Sequence, residues 1–283
     1  MKQQLSPLLT ATELLTLHQT SSILLIDASN GKDAYDNYLE RHLQGALFVD
    51  LNTQLADIKE DVSIGGRHPL PTLEQFSKVL SDLGITPESH VVIYDDKNGA
   101  NAAARFWWML KAIGHKKVQV LNGGKIATEA VGFPLAKGIE TVEKVGLYLV
   151  TNWQLPQVTM DEVEKASQSK NHIIIDVRET PRYKGHIEPL DLIAGHIPNA
   201  VNVPFSTNLD ENGLFLSPST LKEKYETVFH DIPVENRIVH CGSGVTACHT
   251  LLAIASAGLD IPKLYVGSWS EWSRNNKKIV TEE

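Results

Sequence analysis

Short apolar runs recur along the chain, each closed by a polar or glycine-bearing turn and separated by stretches with helical spacing. Residues 23–27 and Ile173–Asp176 are runs that end in aspartate, and Val91-Val92-Ile93-Tyr94-Asp95 and Arg237-Ile238-Val239-His240 are two more. Val118-Gln119-Val120-Leu121 and Leu264-Tyr265-Val266 complete the set. Runs that do not alternate with polar residues predict strands buried on both faces. Residues 72–83 and 219–229 between them have helical spacing, with Pro71 and Pro218 beside their starts, and residues 245–257 form a third, strongly apolar segment. Strands alternating with helices predict an α/β fold in which helices cover both faces of a mostly parallel sheet.

The runs also predict a repeat. Arg41-His42-Leu43-Gln44-Gly45-Ala46 parallels Gly195-His196-Ile197-Pro198-Asn199-Ala200, and the strand pairs above fall in the same order in both halves. The expected division is a domain over residues 1–140, a linker over 141–155 and a second domain over 156–283, because Gly-Phe-Pro and Gly-Ile-Glu interrupt the pattern between Gly132 and Pro156. His42 and His196, in the paired motifs, are expected to bond nearby backbone.

The candidate chemistry lies in His240-Cys241-Gly242-Ser243-Gly244-Val245-Thr246-Ala247-Cys248-His249. Cys241 falls between a strand and a helix, where ligands bind in open parallel sheets. Gly242 and Gly244 permit a curl that turns several backbone N–H groups toward one point, and the following helix adds the positive end of its dipole. These features favour a thiolate nucleophile. Other readings exist for the same residues. A small buried cysteine in a glycine turn is the plain one. A metal site of His240, Cys241, Cys248 and His249 departs from usual zinc spacings. A cysteine phosphatase requires an arginine six residues after the nucleophile, where this chain has Ala247.

Composition narrows the partners. The 283 residues carry a formal charge of -8, which argues against nucleic acid or an anionic membrane as partner. No segment resembles a membrane span, and Met1-Lys2-Gln3-Gln4-Leu5-Ser6 lacks a continuous apolar signal region, so a cytoplasmic location is the simplest expectation. Two cysteines seven positions apart make no disulfide framework, in keeping with a reducing compartment.

Cys241-Gly242-Ser243-Gly244-Val245-Thr246 resembles the active-site loop of the two-domain rhodanese-type sulfurtransferases, closest to the 3-mercaptopyruvate sulfurtransferases. Gly267-Ser268-Trp269-Ser270-Glu271-Trp272 resembles their C-terminal signature, and further matches run from Ile26-Asp27-Ala28-Ser29 onward. The resemblance implies two tandem rhodanese-like domains, the first without a catalytic cysteine, since Asp95 or Asp96 stands at that position. It implies that Cys241 takes sulfur from a small anionic donor and holds it as a persulfide among the N–H groups of Gly242, Gly244, Val245 and Thr246. A thiol, a thioredoxin-like protein or cyanide then accepts the sulfur, with no metal or organic cofactor. Thiosulfate is the alternative donor, and a non-catalytic sulfur carrier or partner-binding module is the alternative from another class.

The same resemblance assigns individual residues. Arg182 matches an arginine that binds the substrate carboxylate, whereas Arg178, two residues after Asp176, is expected in a structural ion pair. Ser243 matches a serine in a proton relay with a histidine, here His68, and an aspartate whose position is Asn52. The family's second substrate-binding arginine is missing from Glu188-Pro189-Leu190-Asp191-Leu192-Ile193-Ala194, leaving Lys184 or His186 to supply positive charge. Thr246 is expected to cap the helix, Cys248 to belong to the core, and Ala104-Arg105-Phe106-Trp107-Trp108 to pack internally.

Overall fold

A computed structural model describes residues 5–282 of the chain, so Met1–Gln4 of the amino-terminal stretch lie outside the described residues. The chain forms two compact units. Residues 1–56, 71–154 and 211–215 belong to the first, and residues 57–70, 155–210 and 216–283 to the second. Two short excursions therefore depart from a simple division at a linker: 57–70 joins the second unit and 211–215 the first.

In the first unit the strands are β1 (Leu8–Leu9), β2 (Leu24–Asp27), β3 (His42–Leu43), β4 (Ala46–Phe48), β5 (Val91–Tyr94), β6 (Val118–Leu121) and β7 (Leu135–Ala136). All but β3 and β7, which pair antiparallel, form one parallel sheet in the order β1-β6-β5-β2-β4. The second unit contains β8 (Gln157–Val158), β9 (Ile173–Asp176), β10 (Ala200–Asn202), β11 (Arg237–His240) and β12 (Lys263–Tyr265), parallel throughout in the order β8-β12-β11-β9-β10. Each strand of one sheet thus has a counterpart in the other, as the repeated apolar runs predict. The edge strands β1 and β8 are the exception, being two residues long and carrying too little pattern to read.

All residues of β5, β6 and β9 are buried, which accounts for their largely apolar character. Helices start where local chemistry satisfies their free N–H groups. Thr10 with Glu13, Thr72 with Gln75 and Thr159 with Glu162 form capping boxes before helices Ala11–Thr20, Leu73–Asp82 and Met160–Ala166. Pro218 opens helix Pro218–Phe229 after a Ser217 cap. Helix Ala102–Ala112 buries Arg105, Phe106, Trp107 and Trp108. His42 and His196 direct Nδ1 to the carbonyls of Tyr38 and Tyr183, at 2.7 and 2.8 Å. Among the described residues no helix is long and apolar enough to cross a membrane.

Candidate active site

Cys241 follows β11 directly and is buried, with 1% of its surface exposed. The chain then curls through Gly242, Ser243 and Gly244 into helix Thr246–Ser256. At Gly244 the curl requires φ of +75°, and a Cβ there would stand 2.5 Å from the Val266 carbonyl oxygen, so this position takes no side chain. The result aims the Gly244 N–H at Cys241 Sγ, 3.2 Å away. A backbone donor at that distance favours negative charge on the sulfur. Val245 stands at the helix cap without a side-chain bond, and Thr246 is the first helical residue, so Thr246 does not have the capping role expected of it. Cys248, also buried, donates its thiol to the Gly244 carbonyl at 3.3 Å, and neither cysteine is in a disulfide.

The loop is held from outside by helix Ser268–Trp272. Trp269 N–H donates to the Cys241 carbonyl at 3.0 Å and Ser270 N–H to the Gly242 carbonyl at 2.8 Å. Ser268 Oγ accepts the Cys241 N–H at 3.2 Å and itself donates to the Tyr265 carbonyl. Ser268 sits at φ of +53°, a conformation costly to a residue with a side chain. The helix that secures the sulfur loop is therefore itself entered through a strained residue.

The same helix delivers His68. Gly65 N–H donates to Glu271 at 2.9 Å, Arg67 N–H to Ser270 Oγ at 3.0 Å, and Asn275 Nδ2 to the Ser63 carbonyl at 2.8 Å. Gly66, at φ of +78°, lets the segment lie directly on Gly267, whose carbonyl oxygen a Cβ would meet at 2.3 Å. His68 Nδ1 then reaches Ser243 Oγ at 2.8 Å. Asn52 lies on helix Leu51–Gln54 of the first unit, whose cap is Asp50.

Charged groups surround the loop. Arg178 binds Asp176 through Nε at 3.0 Å and Nη2 at 2.6 Å, and its guanidinium stacks 4.5 Å from the Trp269 ring. Burial works to raise the Asp176 pKa, but Arg178, His240 and hydrogen bonds outweigh it and hold the carboxyl below its ordinary value. Burial lowers the pKa of His240, despite the opposing charge of Asp176, and its Nδ1 lies 3.2 Å from the Cys241 carbonyl oxygen. Arg182 Nη2 lies 2.6 Å from Glu188 and 3.3 Å from Asp191. Lys184 pairs with Glu282, while Arg67 and Arg274 reach Asp191 at 2.9 and 3.3 Å. A Cβ placed on Gly242 would be 3.0 Å from Arg67 Nη2 and 3.5 Å from Arg182 Nη2, so both guanidiniums border the loop.

The first unit has a contrasting loop at the corresponding position. Asp95, directly after β5, accepts N–H bonds from Lys97 and Gly99 on one oxygen and from Asn101 and Ala103 on the other, at 2.8–3.3 Å. There a carboxylate accepts the N–H groups of its own loop, where the second unit has Cys241.

A rhodanese-like domain model matches residues 10–127 and again 159–275. The chain belongs to the rhodanese family. This rhodanese-family chain is 36% identical over 280 residues to the "Probable 3-mercaptopyruvate sulfurtransferase" of Pseudomonas aeruginosa, covering 98% of the chain and 95% of the relative. It is 35% identical to the thiosulfate sulfurtransferase of Rattus norvegicus, covering 89% and 86%. Among solved structures, the 3-mercaptopyruvate sulfotransferase of Escherichia coli superposes with a TM-score of 0.77 at 29% identity, covering 94% of this chain and all of that one.

Sequence reasoning singled out Cys241, Ser243, His68, Arg182 and the loop glycines, and the structure brings these together. It did not find Arg67, Asp191 or Arg274. The available signal was an arginine next to His68 and an unexplained Asp191 in the stretch lacking the family's second arginine.

Proposed function

We propose that this rhodanese-family chain is a sulfurtransferase that moves sulfane sulfur from 3-mercaptopyruvate through a persulfide on Cys241. The thiolate attacks the donor's sulfur, the carbon–sulfur bond breaks, and the electron pair leaves on the pyruvate enolate. The donor's thiol proton is available to the enolate carbon, and the Cys241 persulfide remains. A second thiolate, on a small thiol or a thioredoxin-like protein, or cyanide, then takes the outer sulfur and regenerates Cys241. The observation that carries this reading is the Gly244 N–H aimed at Cys241 Sγ, a donor built from backbone and present before any substrate arrives.

Mercaptopyruvate is favoured over thiosulfate by the bond between His68 and Ser243. The enolate takes up a proton to become pyruvate, and a histidine–serine pair can relay the donor's thiol proton to it, whereas sulfite leaves thiosulfate without taking a proton. Arginines bordering the loop suit either anion.

Mass spectrometry of protein treated with mercaptopyruvate is expected to find one added sulfur on Cys241, retained in Cys248→Ala and absent from Cys241→Ser. Full sulfur transfer by Cys241→Ser would refute the assignment. Pyruvate release from mercaptopyruvate is expected to outpace sulfite release from thiosulfate; the reverse would reassign the donor. Transfer of no more than one sulfur per protein would point to a carrier.

A further inference from the structure

Four guanidiniums, of Arg67, Arg178, Arg182 and Arg274, face three carboxylates beside the sulfur loop. Asp176 and Glu188 each have a structural duty. Asp176 closes the sheet end with Arg178, and Glu188 holds its own turn through the N–H groups of Leu190 and Asp191. Asp191 differs from both. Its carboxylate bonds no backbone N–H of its own turn; instead it collects Arg67 through Nε and Nη2, Arg182 through Nη2 and Arg274 through Nη1. Arg67 and Arg182 are the two cations that border Gly242.

We propose that Asp191 is a resident carboxylate in the donor-anion site, and that an anionic donor binds by taking Arg67 and Arg182 from it. This rests on the reading of Cys241 as the sulfur acceptor, which gives the neighbouring anion site its donor. Arg67 approaches Asp191 with two nitrogens at 2.9 and 3.3 Å, the paired geometry in which a guanidinium receives a planar carboxylate. A 2-oxo acid carries such a group, and exchanging one carboxylate for another preserves the charge balance of the cluster. The segment that carries Asp191 is suited to yield. Residues 186–195 form neither helix nor strand, and Ile187, Leu190, Leu192 and Ile193 point outward, so releasing Asp191 sacrifices little packing. Trp269 Nε1 holds the Ile193 carbonyl at 2.8 Å and limits the movement to the turn before it.

The competing role for Asp191 is to position the arginines, and the two roles predict opposite signs. A resident competitor weakens donor binding, and a positioning residue strengthens it. Pyruvate, used as the probe, is titrated calorimetrically into Cys241→Ser protein and into the same protein with Asp191→Asn or Arg67→Gln. The asparagine preserves the size of the side chain but reduces its hold on the guanidiniums. Pyruvate is expected to bind the Asp191→Asn protein about fivefold more tightly and the Arg67→Gln protein roughly tenfold more weakly, the scale of one charge-assisted hydrogen bond. Equal or weaker binding to the Asp191→Asn protein, unchanged binding to the Arg67→Gln protein, or no binding to any of them overturns the proposal. Should Asp191→Asn fail to fold, Asp191→Ser is titrated in its place, with tighter binding again expected and equal or weaker binding again overturning the proposal. Turnover plays no part in this measurement. A wild-type protein that transfers no sulfur, with variants that bind pyruvate as expected, would retire the reaction and leave the anion site standing.

Discussion

His68 Nδ1 lies 2.8 Å from Ser243 Oγ, although 175 positions separate the two residues in the chain. A neutral imidazole either accepts the serine proton or donates to its oxygen, so the pair can pass a proton in both directions. Ser243 stands two residues after Cys241, on the same loop.

His68→Gln and Ser243→Ala are each expected to reduce kcat for mercaptopyruvate about 100-fold, the scale of general acid–base assistance. If the residues act as one unit, the double variant is no worse than the more impaired single variant. Sulfur loading of Cys241 from thiosulfate, whose leaving group needs no proton, should fall much less. Steady-state rates with both donors check this, and equal losses would remove the proton role.

Gly244 and Gly258 have nearly the same φ, +75° and +74°, but of the two Gly244 alone faces an obstruction. Gly258→Ala should therefore cost about 1–2 kcal/mol of stability, the left-handed penalty alone, and leave activity intact. Gly244→Ala should cost more, because the Val266 carbonyl must move, and should lower sulfur transfer by at least tenfold through displacement of the N–H at the sulfur. Chemical denaturation and rate measurements on the two variants make the comparison.

Burial pushes the Asp95 carboxyl up to about 6, against the opposing pull of its backbone N–H partners. The folded state therefore retains a proton that the unfolded state has already released. This stabilising contribution is present below about pH 4 and is lost as pH rises toward 6. The melting temperature of wild type minus that of Asp95→Asn should fall between about pH 4 and 6 and level off above 7. A difference that rises over this window would contradict the assignment. Asp176, held below its ordinary value, contributes in the opposite direction: its share is present above about pH 4 and is lost in acid.

Much of this protein can be read from the chain alone, where the relevant forces act over a few residues. Unbroken runs such as Val91–Tyr94 and Ile173–Asp176 mark strands covered on both faces, and their recurrence in one order marks two sheets of equal topology. The strand, the two glycines and the apolar helix around Cys241 are contiguous, so the shape of the loop is encoded locally. Other features needed the tertiary structure. The edge strands Leu8–Leu9 and Gln157–Val158 are too short to carry a period. Residues 57–70 join the second unit because Gly65 and Arg67 bond to Glu271 and Ser270 from more than 200 positions away.

Asp191 shows the same limit in charge. In the sequence it is an aspartate in a turn, and Arg67 and Arg274 are 124 and 83 positions distant. Backbone preference is settled by neighbours along the chain and leaves a pattern there. Ion pairs among long side chains depend on where distant segments come to rest, so the sequence determined the sulfur loop and the two sheets, and only the folded chain decided which cations stand beside that loop and what they hold.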